Sequence, residues 1–485
     1  MKKSKVTSNY LYNVAYQILT FITPLITTPY LARYFGSESL GIYNYTYSIV
    51  YWFILFGMLG LGIYGNRQIA KVCDSRKDRS RTFCEIFLLQ IINVLTCTVF
   101  FYIILNFLGQ KYHEIFLLQG LMIVASLFDI SWFYNGIENF KKITIRNFFV
   151  KIMTIVLIVL IIKNPEQVVE YVWINIGMTF FSNIVMWFNL NKYVDFVKVG
   201  IKDAYKHFKK TFLLFLPQIA TSLYSMFTQT MIGFLYSDIS DVAFYNQAYK
   251  LITMCLSITT TMGTVMLPHI VNAKAKGGDA VVKKSTNRTL KIALFISIPL
   301  AVGIGVCAPS FVPWFLTDEF ETVGYLLSIM APTIIFISLT NVMGTQYLLS
   351  LERDNEYTIS LVAGSIINIV LNVFLISMYG AIGAAISTLV TEFLVLIIQF
   401  LMVRKSFDFS GVVLLVIRYI FVAAIMGIIL FVVGSLMGAN ILTTIIQFVL
   451  GIFIYFIIMF VLKDEMFNFL FEKIKDLFRA KLCRR

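Results

Sequence analysis

Stretches of about 20 predominantly apolar residues, the length a helix needs to cross roughly 30 Å of hydrocarbon, recur from one end of this chain to the other. About fourteen can be marked, over 10–32, 41–64, 83–106, 115–136, 148–162, 168–189, 212–236, 243–268, 292–316, 322–349, 358–379, 381–403, 411–437 and 440–462. A bilayer core offers no partner to an open backbone N–H or C=O, so such a chain has to fold as a bundle of helices. Composition agrees: 59% of the 485 residues are hydrophobic and 14% charged, where a soluble domain has about half and a quarter. The fold class is an all-α polytopic membrane protein. The first stretch follows MKKSKVTSN, is too long for a cleaved signal and lacks a small-residue cleavage site, so it is expected to stay as the first helix.

The 40 Lys and Arg against 26 Asp and Glu, a net charge of +14, read as topology rather than as affinity for nucleic acid, because basic excess in a membrane chain collects in cytoplasmic loops. Counting crossings puts Lys2, Lys3 and Lys5, the segment from Arg67 to Arg81, Lys141, Lys142 and Arg146, the segments Lys192 to Lys210 and Lys274 to Lys291, and Arg404 and Lys405 on one side. The other side has only Lys111 and Lys163 among its loops, beside Asp238, Asp241, Asp318, Glu319 and Glu321. Both termini are therefore expected in the cytoplasm. No loop is long enough to hold a catalytic domain, so function has to lie among the helices. The tail from Lys463 spaces Phe467, Leu470, Phe471, Ile474, Leu477 and Phe478 at helical intervals among lysines, as suits a helix lying on an anionic leaflet.

The chain also reads as doubled. GIYNYTYSIV, 41–50, is echoed by AFYNQAYKLI, 243–252, with Tyr43, Asn44 and Tyr47 matching Tyr245, Asn246 and Tyr249. IENFKKITI, 137–145, is echoed by LERDNEYTI, 351–359, with Glu138, Thr144 and Ile145 matching Glu352, Thr358 and Ile359. A six-helix unit repeated after an even number of crossings enters the membrane from the same side, which gives two lobes in a parallel pseudo-twofold repeat. The expected organisation is an N-terminal lobe over 1–210, a C-terminal lobe over 211–405, two additional helices over 406–462, and a basic amphipathic tail over 463–485.

Few ionisable residues fall inside the apolar stretches. Lys250 lies deepest; placing an unpaired lysine there costs about 2.5 to 3.5 kcal/mol, so it should face a wet cavity or an anion. Arg33 and Arg418 either join it or snorkel to headgroups, and Lys151 sits a turn or so inside its helix. The intramembrane acids are Glu85, Asp129 and Glu392, each able to relay a proton, hold a sodium ion or pair with a neighbouring base. With Arg67 and Glu138 they make up the candidates for coupling or gating. Asn44, Tyr47, Asn246 and Tyr249 could bind sugar through ring faces and hydrogen bonds; interfacial packing is the other reading. Pro24, Pro29 and Pro217 allow their helices to bend. No nucleophile elbow, phosphate-binding glycine loop or paired catalytic carboxylates appear. The cysteines Cys73, Cys84, Cys97, Cys255, Cys307 and Cys483 form no close pairs, and His113, His207 and His269 do not cluster. Neither an enzyme nor a cofactor is expected, and coupling to Na⁺ or H⁺ stays open.

Five segments carry a family likeness: TTPYLARYFGSESLGIYNYTYS (27–48), GLGIYGNRQIAK (60–71), DISWFYNGIENFKKITIRN (129–147), LPQIATSLYSMFTQTMIG (216–233) and AFYNQAYKLI (243–252). In this order they resemble the Wzx-type polysaccharide flippases of the multidrug, oligosaccharidyl-lipid and polysaccharide exporter superfamily. The resemblance implies two six-helix lobes around a central cationic cavity, two extra helices, and alternating access that moves an undecaprenyl-pyrophosphate-linked oligosaccharide from inner to outer leaflet. It implies glycosyltransferases and a polysaccharide polymerase as partners. Relatives often carry an acid and a base before the Met-x-Gly of helix 7; here Thr228, Gln229 and Thr230 stand there, so coupling through that pair is not available. A lipid II flippase and a cation-coupled multidrug antiporter are the neighbouring alternatives, and a non-transporting membrane scaffold is the alternative from another class.

Overall fold

The computed structural model describes residues 20, 22–107, 111–405, 411–469 and 471–472. Residues 10–19 and 21 of the first expected span and the tail beyond 472, with Ile474, Leu477, Phe478 and Cys483, lie outside the described residues, as does Leu470. Among the described residues every regular element is helical, and ten helices are long and apolar enough to cross a membrane by length and composition. One of them, Asp354–Val403, holds two expected spans and breaks between them at Gly380 (φ 54°, ψ −128°). The chain divides into two compact units, Met1–Ala243 and Phe244–Arg485.

In the first unit, Gly36–Met58 ends where Leu59 (φ 41°) and Gly60 (φ 72°) both turn left-handed, and Leu61–Lys71 starts beyond them. Gly60 suits this break because a β-carbon there would lie 2.7 Å from the Thr211 carbonyl oxygen, at a φ that side chains rarely adopt. Arg76–Leu105 is capped by Ser75, whose hydroxyl accepts the Asp78 N–H at 3.3 Å, and Asp78 adds its charge to the first turn. The expected single span 115–136 is instead three short helices, His113–Gln119, Leu121–Leu127 and Ser131–Gly136. A buried amide makes the break possible: Gln90 Nε2 donates to the carbonyls of Ser126, Leu127 and Asp129, all at 3.0 Å. Backbone acceptors that the helix leaves open are thus satisfied by a side chain. Trp132 donates its indole N–H to Gln90 Oε1 at 3.0 Å and packs with Phe83, Phe133, Tyr134 and Tyr64 in a core at this end of the unit.

Phe140–Ile161 and Val168–Val185 run beside each other. The expected span 212–236 is Phe208–Ser222 and Thr228–Leu235 joined by a π-helical turn, Leu223–Phe227, rather than one regular helix. Such turns insert a residue into the helical ladder and recur at functional sites.

The second unit takes in most of Ser240–Phe315, where the expected spans 243–268 and 292–316 and the lysine-bearing segment between them are one helix. The intervening sequence is rich in alanine and lysine, both strong helix formers, which outweigh the Gly277–Gly278 pair. The expected span 322–349 is divided into Glu321–Met330 and Thr333–Thr340 around Pro332, with a π-helical continuation over Asn341–Leu348. Val412–Met437 and Ile441–Val461 pack on the end of Ser240–Phe315 through Phe295, Tyr419, Met426, Tyr455 and Met459, and the Tyr455 hydroxyl donates to the Phe295 carbonyl at 2.9 Å.

Candidate functional site

In the second unit, the first turns of Ser240–Phe315 have two unlike faces. Tyr245, Ala248 and Ile252 are buried, with exposures of 0%, 0% and 1%, while Asn246, Tyr249 and Lys250 remain partly accessible. The spacing explains this: 245, 248 and 252 follow the helical repeat inward, and 246, 249 and 250 fall on the other side. Tyr245 anchors the helix by a hydrogen bond between its hydroxyl and Thr388 Oγ1 at 3.0 Å. Its ring stacks on Tyr249, with centroids 6.0 Å apart and planes at 22°. An amide, a phenol and an ammonium therefore share one accessible face.

The first unit repeats the aromatic half of this arrangement on Gly36–Met58. Tyr43 stacks on Tyr47 with centroids 6.0 Å apart and planes at 3°, and Tyr47 continues to Tyr51 at 6.2 Å. Tyr171, from Val168–Val185, meets Tyr43 edge-on at 4.7 Å. Asn44 and Trp52 lie on the same helix, and the Asn44 Nδ2 and Trp52 Nε1 donors are buried without an acceptor among the described residues. A buried donor of that kind suits an acceptor from water or ligand. In place of a charge pair, Thr230 shares a hydrogen bond with Ser48 at 2.8 Å, beside buried Thr228 and Gln229.

The remaining candidates part company. Arg418 is held in the second unit: Nη2 donates to the Leu462 carbonyl at 2.8 Å, and Nη1 lies 3.6 Å from the buried Asp464 carboxylate. Glu85 is 3% exposed and binds three bases: Arg81 Nε at 3.0 Å, Lys206 Nζ at 2.7 Å and His207 Nε2 at 3.0 Å. His207 Nδ1 in turn meets the Tyr64 hydroxyl at 2.7 Å. Asp129 Oδ1 accepts the Ser131 N–H at 2.9 Å, which starts the helix behind the break. These three charged groups are engaged in holding the fold. Glu392 differs, being partly buried in Asp354–Val403 with no hydrogen bond or ion pair to a described residue. Arg33, Arg67 and Glu138 are exposed, and Lys151 Nζ donates to Thr20 Oγ1 at 2.8 Å. Tyr171, His207 and Asp464 were not singled out by the sequence; each acquires its role from a partner far away in the chain, and no local pattern marks them.

Residues 6–274 match the family described as polysaccharide biosynthesis protein, and residues 214–375 match MatE. A protein of Escherichia coli K12, provisionally named an O-antigen transporter, is 23% identical over 412 residues, covering 83% of this chain and 98% of its own. The lipid II flippase MurJ of Bacillus subtilis is 28% identical over 194 residues, 39% of this chain and 36% of its own. Among solved structures, a lipid II flippase in an inward closed conformation superposes with a TM-score of 0.72 at 17% identity, covering 96% of this chain and 100% of that one. An inward-facing multidrug resistance MATE family transporter superposes with a TM-score of 0.62 at 12% identity, covering 79% and 94%. With more than half its length matched, the chain belongs to the polysaccharide biosynthesis protein family and is a multi-pass membrane flippase of the Wzx type, within the multidrug, oligosaccharidyl-lipid and polysaccharide exporter superfamily.

Proposed function

We propose that the protein carries an undecaprenyl-pyrophosphate-linked oligosaccharide from the inner to the outer leaflet of a bacterial cytoplasmic membrane, supplying repeat units for a capsule, O-antigen or exopolysaccharide. The observation that carries this reading is the accessible face of Asn246, Tyr249 and Lys250 on an otherwise apolar helix. A lipid-linked pyrophosphate needs a cation within a wet cavity while its polyprenyl tail stays in hydrocarbon, and a charge-assisted bond from an ammonium meets that need. Sugar rings present apolar faces and hydroxyls, to which the Tyr47 and Tyr249 rings and the Asn44 and Asn246 amides are suited. Transport runs by alternating access, with 1–210 and 211–405 as the repeated units and 406–462 as additional helices. Both termini lie in the cytoplasm, where glycosyltransferases build the substrate, and a polymerase consumes it outside. Glu392 is the acid best suited to couple transport to an ion, because nothing described neutralises it.

The test is a substitution series at Lys250, read as surface polysaccharide against the amount of protein in the membrane. Lys250→Ala is expected to abolish export with the protein still inserted, and Lys250→Arg to keep part of it because the charge survives in altered geometry. Lys250→Glu should be worse than alanine, since it opposes one anion with another. Normal export with alanine at 250 would remove the residue from the mechanism. Labelling of a cysteine at position 77 from outside the cell would overturn the topology.

A further inference from the structure

A groove of about 440 Å³ opens between Phe140–Ile161 and Val168–Val185, away from the tyrosine ladder. Its mouth is cationic, with Lys141, Lys142 and Arg146, and its lining contains no acid. Below the mouth the walls turn apolar: Ile145 and Phe149 from one helix and Phe181 from the other are 52%, 53% and 43% exposed. Phe149 and Phe181 face each other at 6.1 Å. Residues 142, 145, 146 and 149 recur at three- and four-residue intervals, so the charged and apolar parts form one stripe running down the helix.

The three cations are not equivalent. Lys142 spends all three of its donors inside the protein, on the Tyr134 hydroxyl at 2.7 Å and on the Met186 and Phe188 carbonyls at 3.0 and 2.8 Å. It contributes charge at the C-terminal end of Val168–Val185, but no further contact. Arg146 is braced from two sides, by Ser131 Oγ at 2.9 Å and by Asn147 Oδ1 at 2.7 Å, which fixes its guanidinium at the mouth. Lys141 stands exposed beside it. A braced guanidinium with an exposed ammonium beside it, above an apolar slot, matches a molecule with a phosphate at one end and a hydrocarbon chain at the other.

We infer that this groove binds an anionic phospholipid, its phosphate at Lys141 and Arg146 and one acyl chain along Ile145, Phe149 and Phe181. Basic pockets between transmembrane helices on the cytoplasmic side recognise such headgroups. The leaflet follows from the loop-charge topology, whereas the binding itself does not depend on that topology or on the transported substrate.

Native mass spectrometry of the full chain, delipidated in detergent and offered phosphatidylglycerol or phosphatidylcholine of the same chain length, tests the inference. Wild type should retain phosphatidylglycerol several-fold better than phosphatidylcholine. Lys141→Gln combined with Arg146→Gln should lower phosphatidylglycerol retention about tenfold, and Lys141→Gln alone, at an exposed position that should not disturb folding, by a smaller factor. Lys111→Gln, at the other end of the unit, should change nothing. Equal retention of the two lipids by wild type, or unchanged retention in both glutamine variants, would overturn the proposal. So would complete displacement by the soluble glycerophosphoglycerol headgroup, which would leave the apolar wall without a part. Displacement of phosphatidylglycerol by an equal amount of undecaprenyl phosphate would reassign the groove to the transported lipid.

Discussion

Glu138 and Glu352 occupy the same point in two helix endings. Each is left-handed, with φ of 56° and 61°, and each donates its backbone N–H three residues back, to Asn135 and to Leu349. In both, the next residue reaches five back: Asn139 to Tyr134 and Arg353 to Leu348, each at 2.9 Å. This is the Schellman ending, in which glycine usually holds the left-handed place. Finding glutamate there twice, in the segments IENFKKITI and LERDNEYTI, gives the sequence echo a three-dimensional counterpart.

Glycine at either position should therefore stabilise the protein. A β-carbon in the left-handed region costs roughly 1 kcal/mol, so Glu138→Gly and Glu352→Gly are each expected to raise the melting temperature of purified protein, while valine lowers it. The same pair decides whether Glu138 gates transport. Export that persists in the more stable glycine variant assigns the residue to the helix ending; export that vanishes assigns it to the transport cycle.

The Glu85 cluster should be the most sensitive ion pair of the first unit. Removing the acid leaves the buried His207 ring without its acceptor, while Arg81 and Lys206 are half-exposed and can turn to water; an unmet buried donor costs about 1 to 3 kcal/mol, so Glu85→Ala should unfold earlier in a thermal scan. Burial holds the His207 imidazole below its ordinary range, and this outweighs the opposing pull of Glu85. The sign follows: the fold prefers neutral histidine, so that part of the stability is present above the free-imidazole pKa of about 6.5 and is lost as pH falls through the lower folded value. Thermal scans should show stability declining as the medium is acidified below that range, with a flatter profile in His207→Gln; an unchanged profile would remove His207 as its source.

Arg418 and Asp464 make a similar but separable case. Asp464 is 1% exposed and also accepts the Tyr419 hydroxyl at 3.3 Å and the Met466 N–H at 2.9 Å. Asp464→Ala should lower the amount of folded protein more than Arg418→Gln does, because it leaves several donors unmet rather than one carboxylate. If Arg418 serves the substrate instead, Arg418→Gln should stop export at normal protein level, and quantitative blotting beside the export assay distinguishes the two.

What the sequence made legible was what is local. Apolar length marked the helices, the residue left between the spans 358–379 and 381–403 is the Gly380 break, and the Tyr–Asn–Tyr echo corresponds to two ring stacks with the same 6.0 Å separation. What stayed hidden depends on distant partners. The break at 128–130 is held open by Gln90 from another helix, so the hydrophobic run alone reads as one span. Arg418 looks like a cation in search of a ligand until Asp464 is placed beside it.

The Gly380 break carries a consequence for how the protein is made. On either side of it, Gln399 Nε2 donates to Ser360 Oγ at 3.0 Å and Asn368 Nδ2 reaches Thr391 Oγ1 at 3.3 Å, polar rungs that join the two arms of a helical hairpin. Either arm alone would expose an asparagine or glutamine amide to lipid, at a cost that pairing removes. The arms should therefore leave the insertion machinery together, as a pre-zipped pair, and a chain truncated just after residue 380 should seat its single arm in the bilayer less completely than a chain that carries both.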